Sequence, residues 1–187
     1  LEEAKLQRMP KEKVLSRKVA LVTGAGGGIG KAIANKLLAE GAHVVFSDIS
    51  LERLQENTAH LNTDQASYVV CDVTQETSIR KALAHTCSYF GGVDIIVHSA
   101  GLAISKPLAE TQEKDWDLLQ DVLVKGQFEL AKQTVEVMRK QNLGGNIVII
   151  ASKNGLVSGP NNVGYGTAKA AQQHMSRLLA TELAGDK

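Results

Sequence analysis

The stretch Thr23-Gly24-Ala25-Gly26-Gly27-Gly28-Ile29-Gly30 most constrains what this chain can fold into. It lies between an apolar run, Val19-Ala20-Leu21-Val22, and a helical pattern from Lys31 to Glu40 that stops at Gly41. A short apolar run bounded by turn residues reads as a buried strand. A strand, a glycine turn and a helix make an anion site. Glycine lacks Cβ, so the backbone turns tightly and comes close to a phosphate. The free N–H groups and positive end of the helix then favour the negative charge. By itself the turn also allows a plain strand-to-helix connection with no ligand.

The alternation continues along the chain. Strands are expected at about residues 18–23, 43–48, 66–73, 93–100 and 146–152. Helices are expected at about 28–40, 51–61, 74–90, 112–141 and 165–183, with Thr74 as an N-cap. Ile29, Ile33 and Leu37 fall on one face of the first helix. Gly126 interrupts the long fourth helix. A glycine there costs about 1 kcal/mol against alanine, so a close packing contact is expected. The strands are short, continuous and apolar, as in a sheet covered on both faces. The expected fold is α/β, a Rossmann-like doubly wound parallel sheet of order 3-2-1-4-5. Ligands then bind at the carboxyl ends of the strands, near the switch between strands 1 and 4.

Composition narrows the partners. The 187 residues suit one domain, and 43% apolar with 22% charged content is ordinary. Residues 1–17 read as a linker or N-terminal arm and residues 18–187 as the domain. The formal net charge is +1 without a long basic run, which argues against nucleic acid and anionic membranes. No apolar segment approaches the roughly 20 residues that span a bilayer. Cys71 and Cys87 lack metal-ligand spacing, so neither a metal site nor a disulfide is expected. The N-terminus lacks a signal-peptide core, and a cytoplasmic location is the default expectation. The chain begins with Leu, which fits a piece of something longer.

Residues further along complete a site. Gly24, Gly28, Ile29 and Gly30 would cradle a pyrophosphate. Asp48 ends the second strand 18 residues beyond Gly30. A carboxylate there can accept from adenosine ribose hydroxyls and repels the extra phosphate of NADP, which favours NAD. No Arg or Lys replaces it or stands among Gly26 to Gly28. It can equally start a turn. Asp72 and Val73 can hold an adenine, or Asp72 can serve as a simple cap. Ser99, Ala100 and Gly101 are small enough to let a cofactor approach the backbone. Tyr165 and Lys169, four apart, share one helix face. An ammonium beside a phenol lowers the phenol's pKa, so it can exchange a proton near neutral pH. Ser152, at the end of the fifth strand, could bond the same substrate oxygen. Out of context such a Tyr/Lys pair is ordinary surface chemistry.

Taken together, these residues resemble the short-chain dehydrogenase/reductase family. The matching segments are residues 23–30, Asp48, Cys71-Asp72-Val73, Ser99-Ala100-Gly101, Ser152 and Tyr165-Gly166-Thr167-Ala168-Lys169. The resemblance implies Tyr165 as general acid/base, Lys169 as nicotinamide-ribose ligand and tuner of Tyr165, and Ser152 as the residue that orients substrate. It implies pairing of the long and final helices with a second subunit, as a homodimer or homotetramer. A narrower resemblance, to the dehydrogenase half of bifunctional rhamnulose-1-phosphate aldolase/short-chain dehydrogenases, rests on two stretches. They are Leu1 to Leu6 leading into Arg8-Met9-Pro10, and Ile149 to Asn154 with Gly159-Pro160-Asn161-Asn162. It implies a covalently linked aldolase domain and lactaldehyde as substrate.

Three departures stand out. Leu123 occupies the place where the family's asparagine holds a relay water, and leucine cannot hydrogen-bond it. Ser99 replaces an asparagine common in relatives. The chain stops at Lys187, where family members continue with further strands and a substrate-covering loop, so a C-terminally incomplete fold is expected. The expected function is an NAD-dependent oxidoreductase acting on a small-molecule alcohol or carbonyl compound. The alternatives are a non-catalytic NAD-binding or dimerisation domain, and an NADP-linked reductase.

Overall fold

A computed structural model describes residues 13–61 and 64–186. In chain order the elements are β1 (Val19–Thr23), α1 (Gly28–Ala39), β2 (His43–Asp48), α2 (Leu51–Thr58), β3 (Ala66–Val70), α3 (Glu76–Phe90) and β4 (Ile95–His98). Then come α4 (Glu113–Leu119), a π-helical stretch (Gln120–Lys125), α5 (Gly126–Gln141), β5 (Asn146–Ile149) and α6 (Val163–Glu182). The five strands form one parallel sheet in the order β3-β2-β1-β4-β5. This is the doubly wound, Rossmann-like arrangement expected from the alternation.

Strand residues alternate between two apolar layers. Leu21, Val45 and Ile96 pack with Ile79, Leu83 and Leu130 on one face. Ala20, Val22, Val44, Phe46 and Val97 pack with Ala34 and Leu54 on the other. Full burial of each large side chain contributes roughly 1.5–3 kcal/mol. The two layers hold the sheet between α3 and α5 on one side and α1 and α2 on the other.

The register positions the site. Val69, Ser47, Thr23, His98 and Ile149 align across the sheet. The next residues, Asp48, Gly24, Ser99 and Ile150, therefore emerge together along one carboxyl edge.

Several expected boundaries shift, each for a local reason. β4 ends at His98 because the N–H groups of Ser99 and Ala100 both turn to the Thr23 hydroxyl, at 3.2 Å each. β3 ends at Val70, although the Cys71 N–H still reaches the Asp48 carbonyl at 2.8 Å. β5 ends at Ile149, short of Ser152. Thr74 does not cap α3. Its N–H and hydroxyl both bond Asp72 Oδ1, and Gln75 takes the cap position. α2 stops at Thr58, yet Leu61 still packs on the core. Ile29 leaves the apolar face expected for it and is 62% exposed. The long helix starts at Glu113 and carries a π stretch that periodicity does not signal. α6 begins two residues early, at Val163.

The close contact expected at Gly126 is present. A Cβ there would lie 3.1 Å from the Val73 carbonyl oxygen and 3.2 Å from Val73 Cγ2. Of the arm expected over residues 1–17, residues 1–12 lie outside the described residues. Residues 13–17 make a turn in which the Leu15 N–H bonds the Glu40 carbonyl and the Leu15 side chain packs on the core. Among the described residues no helix is long and apolar enough to cross a membrane, and no cluster of three or more His, Cys, Asp or Glu could hold a metal.

Candidate active site

A cleft of about 830 Å³ runs along the carboxyl edge of the sheet. Its wall includes Gly24, Gly28, Ile29, Gly30, Asp48, Asp72, Val73, Ser99, Ala100, Gly101, Tyr165 and Lys169. Segments up to 145 residues apart in sequence thus meet around one space. Ser152 stands just beyond this wall, whose β5 side is formed by Ile150 and Ala151. A smaller apolar hollow of about 260 Å³ lies between α5, β5 and α6 and carries none of the motif residues.

The glycine turn is built for close approach. Gly24 has φ +68°, and a Cβ on it would lie 2.7 Å from the Ala100 nitrogen. A Cβ on Gly30 would overlap the Gly24 carbonyl oxygen, so α1 packs against its own loop only without one. Gly27 caps α1 with no side-chain hydrogen bond. The first N–H groups of that helix, at the cleft wall, are left for an anion. These features fit the pyrophosphate of a dinucleotide.

Asp48 makes the turn contacts of the plainer reading of it. Oδ2 accepts from the Gly26 N–H and Oδ1 from the Ser50 N–H, at 3.0 Å each. It therefore anchors the glycine turn and starts the turn into α2. A carboxylate offers about four acceptor positions, so it can still accept from ribose hydroxyls. Asp72 accepts from Thr74 through Oδ1 alone, which leaves Oδ2 for an adenine amino group.

At the other end of the cleft, Lys169 is only 7% exposed. Its Nζ donates to the Ile150 carbonyl at 2.9 Å and lies 5.8 Å from the centre of the Tyr165 ring. Burial pushes its pKa below the usual lysine value. Ser152 is half-buried. Its Oγ accepts from the Asn154 N–H at 3.2 Å, and its own hydroxyl proton is available to a ligand.

The Leu123 side chain is wholly buried in the π stretch. A Cβ on Gly101 would lie 3.0 Å from Leu123 Cδ2. The Leu123 carbonyl accepts from the Gln172 amide at 2.6 Å. An apolar contact and an amide thus occupy the place where the resemblance implied a water-holding asparagine.

Three residues of the site were not singled out in the sequence, and Thr23 was named there only as the start of the glycine stretch. Thr23 holds the Ser99 and Ala100 N–H groups through one hydroxyl, and its only signal is a polar residue ending an apolar strand. Asn57, 5% exposed, donates to the Ala25 carbonyl at 3.1 Å and braces the glycine turn from α2. His98 is buried beside Thr23. Arg53 lines the cleft near Asp48.

A family model for short chain dehydrogenases matches residues 18–187. The chain belongs to the short-chain dehydrogenase family. Members of this family generally bind NAD or NADP, act on small molecules and are usually oligomeric. The chain is 40% identical over 186 residues to an uncharacterized oxidoreductase, YuxG, of Bacillus subtilis. That match covers 97% of this chain and 27% of YuxG, so the chain spans about a quarter of that relative's length. It is 38% identical to an uncharacterized oxidoreductase of Staphylococcus epidermidis, covering 91% of this chain and 73% of the other. Among solved structures, a short chain dehydrogenase from Mycobacterium smegmatis superposes with a TM-score of 0.89 at 33% identity, covering 96% of this chain and 78% of that one. The apo form of LigO from Sphingobium sp. strain SYK-6 superposes with a TM-score of 0.86 at 30% identity, covering 91% and 64%.

Proposed function

We propose that this protein is an NAD-dependent oxidoreductase that interconverts an alcohol, or an aldehyde hydrate, and a carbonyl compound. The observation that carries the reading is the meeting of Tyr165 and the buried Lys169 in the same cleft as the glycine turn and Asp48. Gly24, Gly28, Ile29 and Gly30 would hold the pyrophosphate, Asp48 the adenosine ribose, and Asp72 with Val73 the adenine. Ser99, Ala100 and Gly101 would let the dinucleotide lie on the backbone. NAD, when bound, supplies the hydride acceptor, or in reduced form the donor.

The chain's own residues handle the proton. Tyr165 takes it from the substrate hydroxyl, or returns it to the carbonyl oxygen. Lys169 stands beside the Tyr165 ring and has two further N–H groups for a ribose hydroxyl. Ser152 donates to the substrate oxygen and keeps it in reach of Tyr165. An aldehyde would be oxidised through its hydrate, which presents the same C–OH group.

Lactaldehyde is the substrate we favour, and a linked aldolase domain the source. Support comes from the two aldolase-fusion stretches in the sequence and from YuxG, in which the similar segment is 27% of a longer protein. A second copy would pair across the long helix and α6, where Phe128 and Leu178 are about half exposed.

The test is Tyr165→Phe in the complete protein. General acid–base catalysis contributes roughly 10²–10⁴-fold. Turnover should fall at least about 100-fold, with NAD affinity by calorimetry within about threefold of the parent. Equal turnover would remove Tyr165 from the reaction. Tight NAD binding without NADH formation from any alcohol or aldehyde would favour a non-catalytic binding domain.

A further inference from the structure

Two consecutive glutamines on α6 reach in different directions. Gln172 donates through Nε2 to the Leu123 carbonyl in the π stretch, at 2.6 Å. Gln173 donates through Nε2 to the Ser152 carbonyl beyond β5, also at 2.6 Å. One turn earlier on the same helix, Lys169 donates to the Ile150 carbonyl. From α5, Gln127 donates to the Gln172 carbonyl at 3.2 Å and to Ser176 Oγ at 3.4 Å. α6 is thus tied by side-chain amides to the long helix on one flank and to the end of β5 on the other.

Packing alone does not explain these amides. Gln172 and Gln127 are both wholly buried, and the side-chain oxygen of each has no partner among the described residues. An unsatisfied buried polar atom is destabilising, so each amide carries a cost on its oxygen beside the bond its nitrogen makes. Methionine would fill the space and remove the unpartnered oxygen, but at position 172 it would leave the Leu123 carbonyl without its donor. What the amides add is position. The Gly126 N–H bonds the Asp121 carbonyl, which is the widened π register, and Leu123 lies inside that turn. Leu123 also packs with Leu119 and Ala168, with Tyr165 against the same cluster.

We infer that Gln172 and Gln173 are positioning residues, which fix α6 between the π stretch and the end of β5. They thereby set Tyr165, Lys169 and Ser152 relative to one another. The catalytic part of this inference rests on the oxidoreductase reading above. Gln173 holds the Ser152 carbonyl, which also accepts from the Gly155 N–H. Gln172 fixes the helix three residues after Lys169.

The test uses Gln172→Met and Gln173→Met in the full-length protein, each assayed with NAD and lactaldehyde. Each variant should lower kcat about tenfold or more. KM for NAD should move less than threefold, because the glycine turn and Asp48 are untouched. A second readout needs no turnover: NMR titration of the Lys169 ammonium in protein carrying ¹³C-lysine. Loosening α6 admits water to Lys169, so its midpoint should rise toward the ordinary lysine value. Lys169 faces Tyr165 on its own helix and His98 on β4, and His98 stays neutral throughout that titration. Should Gln172→Met fail to fold, Gln172→Asn, which withdraws the amide by one methylene, is read in its place. Unchanged kcat and Lys169 midpoint in both variants would overturn the inference. If the parent and Tyr165→Phe turn over equally, the oxidoreductase reading fails by itself, and the Lys169 midpoint alone then decides the positioning role.

Discussion

His98 carries the sharpest pH signature of any single residue here. It is 1% exposed on β4, with Nδ1 3.5 Å from Thr23 Oγ1 and Nε2 without a partner among the described residues. Burial, and then the nearby charge of Lys169, lower its pKa from the usual 6.5 to about 4. The unfolded chain therefore takes up this proton first as pH falls. The stability linked to His98 is complete above about pH 6.5 and is lost progressively as pH falls toward 4, by at most about 3 kcal/mol. The Asp115 carboxyl acts in a separate window. The Lys106 ammonium, followed by the Gln112 N–H, holds its pKa below 3.8, so its contribution is lost as pH falls through that value and on toward the lower folded pKa. Urea unfolding at pH 7 and pH 4.5 should show a clear fall in the parent and a flatter response in His98→Leu. Equal slopes in the two proteins would refute the assignment. The sequence shows a histidine at the end of an apolar strand. It does not show that β1, β5 and Lys169 close around it, because those contacts come from 48 to 79 residues away.

At the scale of elements, the long helix shows where sequence reading works and where it stops. A glycine inside a helix signals a close neighbour, and the neighbour is the Val73 backbone at the cleft wall. In Gly126→Ala, helix propensity would return about 1 kcal/mol. Overpacking against a backbone carbonyl costs roughly 1–3 kcal/mol. The net expectation is a loss of about 1 kcal/mol in urea unfolding, with weaker NAD binding because Val73 is pushed toward the cleft. A variant as stable as the parent with unaltered NAD affinity would show that Val73 yields freely. The order and type of the ten main elements were legible because both faces of the sheet are apolar and the connections follow one hand. Boundaries were less legible because hydroxyls and carboxylates compete with the ladders: Thr23 ends β4, and Asp72 takes Thr74 away from α3. Ile29 obeys the helical period yet faces the cleft, since period alone does not distinguish core from site. The π stretch has no local code at all. The partner of the Leu123 carbonyl is Gln172, 49 residues later.

For the whole molecule, the site belongs to the edge of the sheet, so ligand binding and folding are linked. A dinucleotide that contacts the glycine turn, Asp48, Asp72 and Lys169 at once binds only when all five strands are in register. NAD at 100 times its Kd should then stabilise the folded protein by about 2.7 kcal/mol. For a domain of this size that corresponds to a rise in Tm of about 5–10 °C. NADP poses the finer question, because Asp48 and Arg53, of opposite charge, both line the cleft. Asp48 is fixed by the Gly26 and Ser50 N–H groups and would meet the extra phosphate with like charge. Arg53 is an exposed cation on α2, and its attraction is screened by salt within roughly 8–10 Å. The fixed carboxylate should win at physiological ionic strength, and NADP should raise Tm less than NAD at equal concentration. Asp48→Ala should narrow that difference, while Arg53→Ala should leave the NAD shift intact and reduce the NADP shift further. An equal or larger shift with NADP in the parent protein would reverse the preference and make Arg53 the residue that sets it.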